Sequence, residues 1–503
     1  MIYSRFNNWF SSCRRIKIKW TFAGLCFFAF YAISTATVIS IPDDQPTIQE
    51  GIETGADGDT VLVQPGFYEE NIIINDRQIA LASMFLLTSD TTHISSTIID
   101  GGSAGSVITI MNSEDSTTSL IGFTIQNGLN INGGGIFCDF SNPLISNNRV
   151  IANHFDARDQ EGRGAGIYCY WSNPKIMNNE IRENTNLGFT HNYAGGIYCE
   201  NSNPLIKNNK ILDNSSQNVG GGICLISSNA IISGNMISGN FSRYGGGISC
   251  GTYSNPIISF NVISDNNAGG TGDGLDIWYY SSPVIINNTI INNDQLGIFW
   301  SESNPLIMNS IIWDNLVFGS GSPIFAYCDI QGGYEGEGNI ESEPLMRDPE
   351  NGDFHLMSQY CGDTYDSPCI DAGHPDSLDI LVDCLWGQGT NRADMGAYGG
   401  GAVLPLDITR QESDIPANFT LFPNYPNPFN ASTTISYSLP SSSEVTLDIY
   451  DILGRKVQAF DKGIQLAGSH LLIWNAEGFS SGTYLYKITA GEIEQSRIML
   501  LLK

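Results

Sequence analysis

The side chains able to do acid–base chemistry are thinly spread along this chain, and their spacing limits what they could do. His154, Asp156, Arg158, Asp159, Glu161 and Arg163 crowd one stretch, and His191 and Tyr193 a neighbouring one. Asp139 and Glu200 occupy the same strand position two repeats apart. Stacked at strand spacing they would sit about 10 Å from each other, near the upper range for the two carboxyls of an inverting glycosidase. Solvated loop and strand residues are the competing explanation for all of these. Eliminative cleavage of an acidic glycan needs an Arg or Lys base beside carboxylates that hold calcium. Here Arg149, Lys175, Arg182, Lys207 and Lys210 are scattered, and neither a His-Gly segment nor an Asp-Asp on a coil face marks a hydrolase, since Asp43-Asp44 lies before the repeats. Aromatic residues are more suggestive. Phe137, Tyr168 and Tyr198 recur in one column, with Phe140, Tyr170, Trp171, Trp278, Tyr279, Tyr280, Phe299 and Trp300 nearby. Such rings could stack on sugars or simply on one another.

Metal and cofactor signals are weak. Gly269 to Asp276 reads Gly-Gly-Thr-Gly-Asp-Gly-Leu-Asp, which is similar to a calcium-binding glycine-rich nonapeptide, but Gly274 stands where an Asp belongs and there is one copy. A loop turn is the better explanation, so no cofactor is expected and calcium stays open. The eleven cysteines include no Cys-x-x-Cys, which leaves zinc little support. Cys138, Cys169, Cys199, Cys224 and Cys250 follow a repeat and read as packed thiols. Cys328, Cys361, Cys369 and Cys384 lie in an irregular segment where disulfides are plausible in an oxidising compartment.

Residues 1–36 place the chain in such a compartment. Arg14, Arg15, Lys17 and Lys19 precede an apolar run from Trp20 to Ile33 and then Ser34-Thr35-Ala36, the layout of a secretory signal peptide. The run is short for a membrane anchor, so after cleavage no integral membrane protein is expected. Five of the 23 basic and none of the 52 acidic residues lie in this leader, leaving a formal charge of −34 on the remainder. Such a surface repels phosphate backbones and excludes nucleic acid as an expected partner.

The elements that must hold these side chains emerge when the chain is aligned on Asn-Pro. Pro143, Pro174, Pro204, Ala230, Pro256, Pro283 and Pro305 are equivalent, at spacings of 31, 30, 26, 26, 27 and 22. Ile145, Ile176, Ile206, Ile232, Ile258, Ile285 and Ile307 follow two residues later. Asn148, Asn179, Asn209, Asn235, Asn261 and Asn288 follow at five, with Ser310 closing the series. An aliphatic residue follows at seven and another Asn at ten. Two short strands joined by a tight corner fit this spacing, with Asn taking the left-handed conformation there and forming amide ladders between coils. A third strand opens each repeat after glycine, as in Gly166-Ile167-Tyr168-Cys169, with Ile and Cys inward and the aromatic outward. Three strands per coil make a parallel β-helix. The stretch Ile48 to Ile52 reads as a short helix capping its first coil.

The pair Gly58-Asp59-Thr60-Val61 and Pro65-Gly66-Phe67-Tyr68, followed by these repeats, resembles the pectate-lyase-like right-handed β-helix superfamily. Residues 340–400 resemble the segment that ends many bacterial surface β-helices. This resemblance implies fold more than chemistry, because the superfamily holds lyases, hydrolases and adhesion-type proteins.

From Phe419 the strands alternate as in a small β-sandwich, with Val445, Leu447 and Ile449 on one and Tyr484, Tyr486 and Ile488 on another. This segment closely resembles the type A C-terminal sorting domain of the type IX secretion system. The carrying residues are Asn424 to Asn430 (with Pro426, Asn427, Pro428 and Phe429), Tyr450-Asp451 with Gly454, Trp474-Asn475, Ser481-Gly482-Thr483-Tyr484 and Lys503. The resemblance implies that the type IX machinery is a partner and that the chain ends secreted or on the outer surface of a two-membrane bacterium.

The expectation is therefore an all-β chain: signal peptide 1–36, right-handed parallel β-helix 37–339, its end segment 340–402, linker 403–418 and sorting sandwich 419–503. The preferred function is non-catalytic binding of a surface polysaccharide or other glycan, adhesion-type. A polysaccharide lyase or glycoside hydrolase acting on acidic glycans and a purely structural surface protein remain alternatives.

Overall fold

The computed structural model describes residues 36–399, except 113–116, 156–161, 189–191, 380–381 and 386. It also describes 419–502, except 422–423, 425–426, 428, 431, 440–442, 453, 466–467, 477 and 492. The leader up to residue 35, the linker 403–418, and Asp156, Arg158, Asp159, Glu161, His191, Pro426, Pro428 and Lys503 lie outside the described residues. The chain divides into two compact units between Leu404 and Pro405.

The first unit is a solenoid of parallel strands. Three long sheets have ten, twelve and eleven strands, and each strand pairs with its counterpart one coil away. We number the sheets by their order within a coil. Sheet one contains Ile136–Asp139, sheet two Leu144–Ser146 and sheet three Arg149–Ile151. Their registers join Ile136 to Ile167, Ile145 to Ile176 and Val150 to Ile181, so the expected aliphatic columns form one continuous core. Ile145, Ile176, Ile206, Ile232, Ile258, Ile285 and Ile307 are all wholly buried, each worth about 1.5–3 kcal/mol relative to exposure.

Two expectations need correction. Five middle coils carry a fourth short strand, from His154–Phe155 through Asn267–Thr271, which forms a five-stranded sheet four. It follows the second Asn of the coil, where another tight corner redirects the chain. The left-handed residue of the first corner is also not the ladder Asn but the one before it: Asn147, Asn178 and Asn208 have φ of 56°, 56° and 54°. The ladder residue itself turns inward. Asn179 Nδ2 donates to Asn209 Oδ1 at 3.0 Å and Asn209 Nδ2 to Asn235 Oδ1 at 3.0 Å, all wholly or nearly buried. A second ladder at Asn153, Asn184, Asn214, Asn240, Asn266 and Asn293 follows the same rule at the next corner.

The two ends of the stack are closed differently. The helix Ile48–Thr54 is capped by Thr47 Oγ1, which accepts from the Glu50 N–H at 3.2 Å, and buries Ile48 and Ile52 on the first coil. At the far end Trp300, Phe325 and Tyr334 pack together, with the Phe325 and Tyr334 rings 4.2 Å apart. Residues 340–399 then fold back along the outside of sheet three, burying Met346, Phe354 and Met395 against Val262, Ile291 and Ile311. Ala397 N–H donates to Thr289 Oγ1 at 3.0 Å, and His374 N–H to Asn309 Oδ1 at 2.8 Å. Of the four late cysteines, Cys361 and Cys384 form a disulfide, whereas Cys328 and Cys369 are buried thiols.

The second unit has a three-stranded and a four-stranded antiparallel sheet. Val445, Leu447 and Ile449 alternate into one core with Trp474, Tyr437 and Tyr486. The sorting-motif residues stitch its ends: Phe429 bridges Leu501 and packs 5.6 Å from Trp474, while Leu500 N–H donates to Asn427 Oδ1 at 2.8 Å. Tyr484 joins the same core and its hydroxyl donates to Ser480 O at 2.8 Å. Gly454 takes a φ of 76° in the turn after Asp451, and Asn430 is exposed.

Candidate functional site

The outer face of sheet one gathers most of the candidate side chains. Strand alternation puts Ile and Cys in the core and leaves two outward rows. The first runs Phe137, Tyr168, Tyr198, Cys224, Ser249, Asp276 and Phe299, each beside the next. The second runs Asp139, Tyr170, Glu200, Ile226 and Gly251.

Outward does not mean exposed. A line of single parallel bridges through Arg163, Tyr193, Val219 and Tyr244 covers the first row, so Tyr168 and Tyr198 are 1 % and 2 % exposed. Their rings stack at 5.1 Å, and Phe137 stacks on Tyr168 at 5.2 Å. The expectation that these two tyrosines present a sugar platform is thereby corrected: their faces are taken by rings. Burial, and then the bond to Glu200, push the Tyr168 hydroxyl far above its usual range; it donates to Glu200 Oε2 at 2.7 Å. Trp300 is also corrected. It continues the inward Cys250–Ile277 column and is 3 % exposed in the core.

The Asp139–Glu200 pair is separated by Tyr170 in the same row, with Glu200 already engaged by Tyr168. Asp139 is raised by burial, and its Oδ1 has no hydrogen-bond partner. His154 starts the first strand of sheet four and places Nδ1 3.3 Å from Ala152 O.

A cleft that the sequence did not reveal opens lower on this face. The first row shrinks from Tyr to Cys224 and Ser249, and the space is roofed by larger side chains from neighbouring strands. Trp278 lies across Gly251, where a Cβ would come 2.4 Å from the indole, and its Nε1 donates to Ser249 Oγ at 3.0 Å. The resulting cleft has a volume of about 420 Å³ and is walled by Tyr193, Val219, Tyr244, Trp278 and Phe299. Asp276, 4 % exposed, is its charged group; burial pushes its carboxyl up to about 7, and Thr271 Oγ1 donates to its Oδ1 at 3.1 Å. The signal for Asp276 lay in Leu275-Asp276-Ile277, which matches Ile248-Ser249-Cys250 and puts an acid in the aromatic row. The glycine-rich run before it drew attention to a metal loop instead. In that run Asp273 spends its oxygens on the N–H groups of Ala268, Gln295 and Leu296, the last at 2.7 Å. Among the described residues no group of three or more His, Cys, Asp or Glu side chains could hold a metal ion.

Five further rings stand at the corner between sheets one and two. Phe140 stacks on Trp171 at 6.4 Å and 3°, and Tyr253 on Tyr280 at 5.7 Å and 19°, with Tyr279 alongside. All five adopt left-handed backbone, φ between 46° and 60°, which directs them off the corner into solvent.

Residues 195–331 match the family "Right handed beta helix region", and residues 424–501 match "Secretion system C-terminal sorting domain". No curated protein matches the chain. Among solved structures, the enzymatically active domain of tailspike protein 4 from bacteriophage CBA120 aligns at 12 % identity and a TM-score of 0.28. That alignment covers 88 % of this chain and 63 % of the tailspike domain, so this chain spans less than two thirds of it. Likeness at that level bears on neither activity nor ligand. The two family matches agree with the parallel stacks and the antiparallel sandwich. The chain is thus a right-handed parallel β-helix protein carrying a C-terminal sorting domain of type IX secretion.

Proposed function

We propose that this exported protein holds glycans along the corner between sheets one and two and does not itself cleave them. The carrying observation is two clusters of rings there, Phe140 with Trp171 and, further along, Tyr253 with Tyr279 and Tyr280, each ring more than half exposed. Flat apolar faces held in water on a rigid corner complement the C–H faces of pyranose rings. The sorting domain supports a working place outside the cell or on its surface, where polysaccharide is the abundant partner. The engagement of Glu200 by Tyr168, with Tyr170 between it and Asp139, argues against that pair as catalytic carboxyls. One observation favours the second reading, glycan cleavage: Asp276 holds a proton near neutral pH, as a general acid does.

Affinity electrophoresis of the full chain in neutral and acidic polysaccharides, with parallel assay for new reducing or unsaturated ends, tests both readings. Retention without cleavage is expected. Trp171→Ala with Tyr280→Ala should weaken retention by about three- to tenfold per stacked ring lost. Unchanged retention in the double variant would remove the binding proposal, and new chain ends lost in Asp276→Asn would replace it with the enzyme.

A further inference from the structure

We propose that the cleft at Asp276 is a subsite for one sugar residue bearing a protonated amine, a refinement that rests on the glycan-binding reading. Four aromatic rings and one carboxyl are the chemistry of cation recognition. Tyr193, Tyr244, Trp278 and Phe299 line the cleft as sources of π density, and Asp276, in the same lining, supplies the counter-charge. Each wall ring is braced from outside the cleft. Tyr193 stacks on Tyr198 at 5.1 Å, Phe299 leans on Phe318 at 6.3 Å, and Trp278 meets Tyr279 edge-on at 5.4 Å. Tyr244 already carries the Arg243 guanidinium 5.2 Å from its centroid, so that ring accepts a cation in the unliganded chain.

Asp276 is the part the fold leaves unfinished. Its Oδ1 takes one hydrogen bond from Thr271, and among the described residues no donor reaches Oδ2. A carboxyl 4 % exposed without an ion-pair partner is costly as the anion and stays protonated up to near neutral pH. The titratable groups around it are the Cys224 and Cys250 thiols, both raised by burial, and the Tyr193 and Tyr244 phenols, with Arg243 beyond Tyr244. A bound ammonium would compensate the carboxylate and gain the ring faces together. An acidic sugar would meet that carboxylate and a chain of net charge −29, so uronates are excluded from this subsite. The cleft's 420 Å³ is at the small end for ligand sites, which suits a single pyranose rather than a strand of polymer.

The chemistry makes binding proton-linked. At pH 6 Asp276 is protonated, so capture of an ammonium must expel about one proton, whereas a neutral sugar expels none. The full chain is titrated calorimetrically with glucosamine trimer, N-acetylglucosamine trimer and cellotriose, in two buffers of different protonation enthalpy. The expected result is glucosamine trimer bound about tenfold or more tightly than the other two with proton release. Both the preference and the release should vanish in Asp276→Asn, whose near-identical shape and folding at pH 6, checked by circular dichroism, keep the comparison clean. Equal binding of all three trimers, still weakened by Trp171→Ala, would overturn the subsite while leaving the glycan reading intact. Binding of none would overturn both, and a glucosamine preference surviving in Asp276→Asn would overturn the role of this cleft.

Discussion

At the scale of single residues, asparagine does most to define the coil, in a way its position in the sequence only half discloses. Asn209 accepts from Asn179 N–H at 2.9 Å and Nδ2 at 3.0 Å, and donates to Ile176 O at 2.8 Å and Asn235 Oδ1 at 3.0 Å. Leucine or serine could not serve both sides. Replacing it by alanine leaves a buried main-chain N–H and two further groups unmatched, each worth about 1–3 kcal/mol. Asn209→Ala should therefore lose roughly 3 kcal/mol or more, read from denaturant unfolding, whereas an exposed Asn such as Asn267 should lose little. The periodicity of these asparagines was plain in the sequence. Their division of labour was not, because the left-handed turn falls on the preceding residue, and that position accepts Asn178, Gly234 and even Phe260.

At the scale of elements, the opening glycine of sheet one is a spacing device. A Cβ on Gly222 would lie 2.6 Å from Gly247 O, a main-chain atom held by the next coil. Gly222→Ala should cost about 1–3 kcal/mol as overpacking, visible as a lower unfolding temperature, with sandwich residues 419–502 unaffected in hydrogen exchange. The strands around this glycine were legible because Ile-x-Cys alternation and its recurrence leave one workable register. The short sheet four was not, since two-residue strands such as Thr185–Asn186 carry no alternation. The same limit hid the cleft. Its walls come from segments whose sequences look like loops, whereas Trp300 stands at the Cys place of the Gly-Ile-x-Cys pattern, so alternation already pointed it inward, in register with Ile277. Whether a ring in a row is covered depends on what the next segment does, as Tyr168 shows.

At the scale of the whole molecule, buried acids couple stability to pH. Burial raises Asp276 to about 7 and Asp329 to about 6, and raises Asp379 and Asp394 as well. Each has a folded pKa above the ordinary 3.8, so the folded chain binds more protons than the unfolded one between these values. The part of the stability that these acids carry should accordingly fall as pH climbs from about 4 through 8, the reverse of a carboxylate held in an ion pair. The unfolding temperature of the solenoid at pH 5 should exceed that at pH 8, and Asp276→Asn should flatten the slope. An equal or higher temperature at pH 8 would contradict it. The asparagine ladders carry a different consequence for the molecule's history. Each coil offers its neighbour the same amide and takes the same one back, until Ser310 Oγ accepts from Asn288 N–H and the first ladder stops. As far as the ladders are concerned, a coil can therefore be gained or lost without redesign of those beside it. Twelve strands in the longest sheet already extend roughly 50 Å at strand spacing. The distance such a protein spans is thus open to change by duplication, one rung at a time, while the corner between sheets one and two keeps its form.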